Sequence, residues 1–394
     1  MNDTVKRLSV LMATAFVDMI GFAMVFPLLP YYARRLEAAD WTIGWMIAIF
    51  SIAQLAAAPL WGRLSDRYGR RGVILMGLTT SAIAYVVFGL ATSMWWLFVS
   101  RLVQGIGGGT TGVLQAYVAD VTDPKDRAKA LGWLSAATGA GVMLGPAIGS
   151  LAFGLGYAAP GLFASALCLC NIGFAARWLP ESRPERDETR TRRSVRSMVV
   201  EIVLAPRAQV ARLVWIYAVG MLGFMSMTAV LALYLQDEFG VTESTIGIFF
   251  VYVGALSVVM RAVLLGRLVD WLGEARLMRV GAAVLAAGLF MLPFPDSIVP
   301  LAVVITFTPV GTACLFPATT ALITHRAPDE MRGQILGVAQ AFGGAARVIA
   351  PLWATATYDA LGHALPFHVA GLVVAGVMIL AFAVPTREVA EAPA

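Results

Sequence analysis

The carboxylate of Asp18 stands in the run TAFVDMIGFAMVFPLLP, residues 14–30, which is otherwise built of apolar and small residues. The whole apolar span is 9–33, and Asp18 stands about ten residues beyond its inner end, so ~15 Å deep at 1.5 Å rise per residue, near the middle of a hydrocarbon core about 30 Å thick. An ionisable group at such depth costs about 2.5–3.5 kcal/mol on the gentlest insertion scale, and it is a functional candidate by default. The chemistry open to it is proton binding and release: burial favours the neutral carboxyl, and a neighbouring cation favours the ionised one. Three arginines also fall within apolar runs, Arg101, Arg261 and Arg347. Arg101, a few residues into its run, is the expected partner of Asp18; the alternative is a static ion pair that only fixes helix packing. Arg347 lies mid-run and either attracts an anionic or polar substrate or bonds to backbone carbonyls. Arg261 lies nearer a run's end, where its side chain can snorkel to the interface.

The elements that must hold these groups are long and greasy. Of 394 residues 59% are hydrophobic and 13% charged, and the mean hydropathy is +0.77; a soluble domain is about 45–50% apolar. Twelve apolar runs of spanning length lie between residues 9 and 384, the fourth at 95–119 and the ninth at 276–294. They are apolar on every face rather than alternating, so the expected fold is all-α and integral to the membrane, not a barrel. The first run lacks a small-residue cleavage pattern and is expected to stay as an uncleaved span. All Lys and Arg except Arg34, Arg35, Arg101, Arg261 and Arg347 fall on one side of the span order. That side is expected to be cytoplasmic, with both termini in the cytoplasm. The net charge of +5 is then topology, and no nucleic-acid partner is needed. Cys168, Cys170 and Cys314 all lie in apolar runs, with spacing that favours neither a disulfide nor a zinc site. No GxxxxGK[ST] stretch is present, so an ion gradient rather than ATP is the expected energy source. No cofactor, metal or enzymatic chemistry is expected.

The chain repeats itself. GRLSDRYGRR from Gly62 is echoed by GRLVDWLGEA from Gly266, so that Gly62, Asp66 and Gly69 recur as Gly266, Asp270 and Gly273. PKDRAKALG and PDEMRGQILG, before the fifth and eleventh runs, bring Arg127 and Gly132 back as Arg332 and Gly337, and Pro146 back as Pro351. Three landmarks in one register imply a duplicated six-span unit. The expected organisation is an N-terminal half, 1–178, a charged cytoplasmic linker, 179–208, with a short surface helix around Ser197 to Leu204, and a C-terminal half, 209–394. Parallel six-span halves are a transporter architecture, with substrate bound near the midplane.

These motifs resemble the major facilitator superfamily. GRLSDRYGRRG is similar to its signature between the second and third spans, RLVQGIGGG from Arg101 to the fourth-span signature of proton-coupled members, and GVMLGPAIG, Gly141 to Gly149, to the fifth-span signature of drug:proton antiporters. That last signature usually ends in a second glycine, where this chain has Ser150. The twelve-span tetracycline and multidrug efflux branch is the nearest resemblance, and it commonly carries an aspartate where Asp18 stands. It often has a second membrane carboxylate in the C-terminal half, and none is found here.

What the resemblance implies is a proton-coupled antiporter exporting a small amphipathic compound from the cell by alternating access, working as a monomer among membrane lipids. Proton coupling falls to Asp18 and Arg101. Gating falls to Gly62, Asp66, Arg67, Gly69, Arg70 and Asp270 and to the bending stretch of Gly141, Gly145, Pro146 and Gly149. Asp66, in a short charged loop, is expected against the N-terminus of the eleventh span, and the fifth span, with its stripe of Gly141, Gly145 and Gly149 and with Pro146, suits a helix that bends or rocks against a neighbour in the other half. Substrate contacts are expected at Gln54, Gln115, Tyr217, Met221, Phe224, Met225, Thr308, Thr312, Gln340 and Arg347, any of which is otherwise a core residue. The alternatives are a proton-coupled importer of a sugar or organic acid, and a lipid transporter or flippase.

Overall fold

A computed structural model describes residues 3–123, 125–182, 195–205, 208–328 and 331–385. Most of the expected linker lies outside the described residues. The helices of the first half are α1 Asp3–Val25, α2 Leu29–Arg35, α3 Asp40–Tyr68, α4 Arg70–Gly89, α5 Met94–Gly108, α6 Thr111–Val121, α7 Arg127–Phe153 and α8 Ala159–Trp178. After the short helix α9, Val195–Leu204, come α10 Gln209–Phe239, α11 Ile246–Val259, α12 Leu265–Leu272, α13 Glu274–Met291, α14 Ile298–Ile305, α15 Phe307–Arg326, α16 Arg332–Leu361 and α17 Leu365–Phe382. Among the described residues there is no strand. In lipid a backbone must satisfy its own hydrogen bonds, and helices do so within one segment.

Ten helical segments among the described residues are long and apolar enough to cross a membrane. The other two expected spans are helical as well. The fourth is broken at Gly109–Thr110 into α5 and α6, and the ninth, α13, carries Glu274, Arg276 and Arg279 in its first turns. The first span is α1 and α2 joined through a 3-10 turn at Phe26–Leu28, because Pro27 and Pro30 each remove a backbone donor. A π turn at Met260–Leu264, holding Arg261, joins α11 to α12.

The repeat reappears in three dimensions. α7 begins at Arg127 and contains Pro146; α16 begins at Arg332 and contains Pro351. A Cβ on Gly77 would meet the Gly107 carbonyl of α5, and one on Gly281 the Gly311 carbonyl of α15. Both pairs obey the 204-residue offset of the loop motif, although neither was singled out in the sequence.

By packing the chain forms two compact units, residues 1–188 with 232–255 and residues 189–231 with 256–394. In the first unit α7 lies along α1, and α4 against α5 and α8; in the second α13 lies against α15 and α17.

The GRLSDRYG stretch is not the expected charged loop. Helix α3 runs on through it to Tyr68, and Asp66 sits in its last turn. Nothing from Gly62 to Tyr68 breaks a helix, so the turn waits for Gly69, which has φ +97° and sits where a Cβ would run into the Glu181 carboxylate. Gly273 ends α12 in the same way, with φ +72° and open space around it. Gly69→Ala is therefore expected to lower stability by ~1–3 kcal/mol, read as a fall in thermal unfolding midpoint of the purified protein. Gly62→Ala, with no atom within 4 Å of its Cβ position, is expected to cause no loss.

Candidate functional site

On α1, Thr14, Asp18 and Gly21 recur at i, i+4 and i+7, and so share one face. Two helices, α8 and α4, meet that face. Asn171 of α8 donates from Nδ2 to the Thr14 carbonyl, 2.9 Å away. Cys168, one turn earlier on α8, is fully buried. Tyr85 of α4 lies against Gly21, where a Cβ would stand 3.2 Å from its Cε2 and 3.5 Å from its hydroxyl oxygen, so that the ring would have to give by a few tenths of an ångström.

Arg101 and Gln104, one turn apart on α5, are both 2% exposed. The expected Asp18–Arg101 ion pair is not made. The guanidinium instead lies over the Phe88 ring, 5.0 Å from its centroid, and Arg101 Nε and Nη2 and Gln104 Oε1 and Nε2 have no hydrogen-bond partner among the described residues. Such atoms are rare in folded proteins and costly. The cation is held by an aromatic face. Gly105 permits this by letting α5 approach α3: its Cβ would stand 2.8 Å from that of Ala53.

The loop-motif residues make a second polar cluster. Arg70 donates from Nη1 to Asp66 and to the Ser65 hydroxyl, each at 2.6 Å, and from Nε to Asp120 at 3.0 Å. Glu181 accepts the backbone N–H groups of Arg70 and Arg71, at 2.6 and 3.2 Å, which caps the N-terminus of α4. Asp66 thus has its partner on its own unit, in Arg70. Arg67 is exposed and lies over the Tyr68 ring. Asp270 is exposed on α12. Asp120 and Glu181 are not among the residues that the sequence singles out, since their partner Arg70 lies 50 and 111 residues away.

The glycine stripe of α7 faces α1. A Cβ on Gly141 would stand 2.5 Å from the Phe16 carbonyl oxygen, and one on Gly145 2.6 Å from Ala23 Cβ. The opposite edge of α7 meets α11. The Gly247 N–H, one of the unpaired donors of the first turn of α11, donates to Ser150 Oγ at 3.0 Å, and a Cβ on Gly254 would press on Met143 at 3.0 Å. The serine that departs from the family pattern therefore supplies an acceptor that a glycine lacks. At one end of this unit Tyr31 donates to the Val241 carbonyl at 3.0 Å, and Arg34 binds Asp40, Gln236 and Asp237 together.

Among the expected substrate contacts, Tyr217 and Phe224 meet edge-on against Phe316, at 5.4 and 6.4 Å between centroids, and the Tyr217 hydroxyl donates to Gln340 at 3.4 Å. Phe316 was not anticipated. Met221 and Met225 are half-buried on the same helix as Tyr217. Thr308 and Thr312 precede Phe316 on α15 and are buried, 0% and 4% exposed; the Thr308 hydroxyl lies 3.5 Å from Met227 Sδ, and the Thr312 hydroxyl donates back to the Pro309 carbonyl. Gln54 donates to the Gly108 carbonyl at 3.1 Å, and Gln115 is exposed. Arg347 is half-buried, with its Nε unpartnered.

The chain matches the family profile described as Major Facilitator Superfamily over residues 11–309 and 235–394. It is 29% identical over 372 residues to Multidrug resistance protein 1 of Bacillus subtilis (strain 168), which covers 93% of each chain. It is 28% identical over 361 residues to the class C Tetracycline resistance protein of Escherichia coli, covering 90% of each. Its backbone is similar to that of the human organic anion transporter MFSD10 (TETRAN), with a TM-score of 0.74 at 21% identity, over 97% of this chain and 100% of that one.

Proposed function

Because the chain belongs to the Major Facilitator Superfamily, and is a multi-pass membrane protein, we propose that it exports a small amphipathic compound in exchange for protons. The observation that carries this reading is Asp18. Among the described residues it is the one carboxylate in the middle of a span, with Tyr85 packed on Gly21 and Asn171 bonded to the Thr14 carbonyl on its face of α1. A group there can take up a proton on one side and give it up on the other, and its charge biases the two orientations of an alternating-access cycle. Moving one charge through 100 mV is worth about 2.3 kcal/mol, enough to bias such a switch.

Arg101 has the companion role, as the fixed charge against which the protonation of Asp18 is felt. The aromatic and methionine surface of Tyr217, Met221, Phe224 and Met225, with Gln340 at its edge, suits varied apolar ligands because such side chains repack. Gln54, Gln115, Thr308, Thr312 and Arg347 complete the proposed substrate set. Gating rests with Gly62, Asp66, Arg67, Gly69, Arg70 and Asp270, where charge clusters at helix ends make and break, and with Gly141, Gly145, Pro146 and Gly149 on α7. The protein acts as a monomer in the plasma membrane, among lipids, with both termini cytoplasmic.

The similarity to multidrug and tetracycline resistance proteins supports export. The test is accumulation across a panel of antibiotics, dyes, sugars and organic acids in cells with and without the protein. Expression is expected to lower accumulation of amphipathic drugs several-fold, and an uncoupler to restore it. Raised uptake of a sugar or organic acid would instead mark an importer.

A further inference from the structure

At the end of the first unit away from the start of α1, a cavity of about 430 Å³ is lined by Arg35, Leu36, Gly89, Leu90, Thr92 and Tyr157. These residues come from the end of α2, the end of α4 with the turn after it, and the turn before α8. Gly89 lines it where α4 and α8 touch backbone to backbone: a Cβ on Gly161 would stand 2.6 Å from Gly89 Cα. The polar wall is Arg35 on Tyr157, with the guanidinium carbon 4.5 Å from the ring centroid. Tyr32 fixes that ring, their centroids 4.2 Å apart, and its hydroxyl donates to the Tyr157 carbonyl. Arg35 is exposed and makes no ion pair among the described residues. Asp40 and Asp237 are both bound by its neighbour Arg34, and Glu37 is exposed and pairs with neither arginine.

An apolar stripe leads up to this cavity. Met76, Ile83, Val86 and Leu90 of α4 are all exposed and stand at i, i+7, i+10 and i+14, so they share one helix face. At 1.5 Å per residue the stripe is ~20 Å long, more than the ~15 Å depth of one leaflet. It ends in the cavity, which Leu90 lines. Trp95 and Trp96, exposed in the first turn of α5 just past Thr92, mark the depth of the headgroups. We infer that the cavity binds the headgroup phosphate of an anionic phospholipid, with Arg35 as the phosphate contact, Thr92 at the mouth and an acyl chain along the stripe of α4. Arginine presents a planar fork of donors that matches a phosphate, and its stacking on Tyr157 holds the fork without using any of those donors. An unpaired cation above an exposed apolar stripe suits a lipid anion, whereas a soluble anion would leave the stripe unused. Neither the direction nor the coupling of transport enters into it.

The test is native mass spectrometry of the purified full chain in detergent, with phosphatidylglycerol, phosphatidylcholine or glycerol phosphate added to wild type, Arg35→Gln and Thr92→Glu. Glutamine removes the charge. Glutamate at the exposed Thr92 sets an opposing charge at the mouth without touching the core, and decides the matter if Arg35→Gln does not fold. The wild type is expected to hold phosphatidylglycerol roughly ten-fold more tightly than phosphatidylcholine, and both variants to lose that preference, as for loss of a hydrogen bond to a charged group. Glycerol phosphate, the headgroup without its chains, is expected to leave the bound lipid in place even in large excess. An undiminished preference for phosphatidylglycerol in both variants would overturn the site, as would equal affinity of the wild type for the two lipids. Displacement of the lipid by glycerol phosphate at matching concentration would mark a site for soluble anions and overturn it as well.

Discussion

Asp18→Asn is expected to abolish concentrative transport while leaving a folded protein that still exchanges substrate. Asparagine keeps the shape of the side chain and mimics its protonated form, but it has no proton to release. Per proton, one pH unit supplies about 1.4 kcal/mol and 100 mV about 2.3 kcal/mol, together enough for roughly a 400-fold substrate gradient. Without the exchangeable proton that gradient falls to unity, a loss of about two orders of magnitude in steady-state accumulation. Stability should hold or rise slightly, since a potential charge has left a span. Counterflow of labelled substrate in reconstituted vesicles checks that the binding site survives, and accumulation under an imposed gradient checks that coupling does not.

The second large effect is structural. Gly145→Leu is expected to disrupt the contact of α7 with α1, because even a Cβ at that position would stand 2.6 Å from Ala23 Cβ and 2.7 Å from the Ile20 carbonyl oxygen. Backbone on the facing helix cannot yield as a flexible side chain can. Overpacking of this kind costs typically ~1–3 kcal/mol per site and more when backbone must move, so the apparent melting temperature in detergent should drop by several degrees and transport should fall with it. Gly139→Leu is the control. It lies on the same helix, and no atom stands within 4 Å of its Cβ position. A matching loss at Gly139 would mean that α7 tolerates no large residue anywhere, and that close approach to α1 is not the reason.

Spans were legible in the sequence because a lipid-facing helix must be apolar along its whole length, and that demand leaves a long continuous signal. The duplication was legible for a related reason: Gly69 and Gly273 are forced by backbone conformation, with φ of +97° and +72°, and residues forced by geometry stay recognisable. The path of α3 beyond Leu60 was less so. Charge reads as a loop, whereas arginine and aspartate sit well on a helix that emerges into water, and Asp66 became part of the last turn. The fourth span's glycines were read as packing sites, and Gly105 and Gly107 do pack closely, but the break at Gly109–Thr110 carries no proline to announce it.

Most of the site was hidden for want of any local signal. Asp18 and Arg101 could be picked out because charge is rare in a span, but the packing beside them, Tyr85 on Gly21 and Arg101 on Phe88, is made across helices. In a greasy run Tyr85 looks like any other core aromatic. Ser150 looked like a tolerable departure from a pattern, and its use became visible only when the Gly247 N–H was found donating to it. Glu181 carries no local signal of its part; its capping of α4 is a contact across 111 residues. Thr308 and Thr312 show how weak polarity is as a signal: in a membrane helix a threonine hydroxyl can bond to the preceding turn, as Thr312 does.

The central claim is that substrate and proton move in opposite directions through one cycle. It is tested most directly in vesicles that hold the purified protein and a pH-sensitive dye, with an acidic lumen and a drug outside that expression was found to exclude from cells. The account predicts that the drug accumulates while the lumen turns alkaline in step with it, that an uncoupler abolishes accumulation, and that Asp18→Asn shows neither movement. Accumulation driven by an acidic exterior, with the lumen acidifying as substrate enters, would mean that the two travel together and would contradict it.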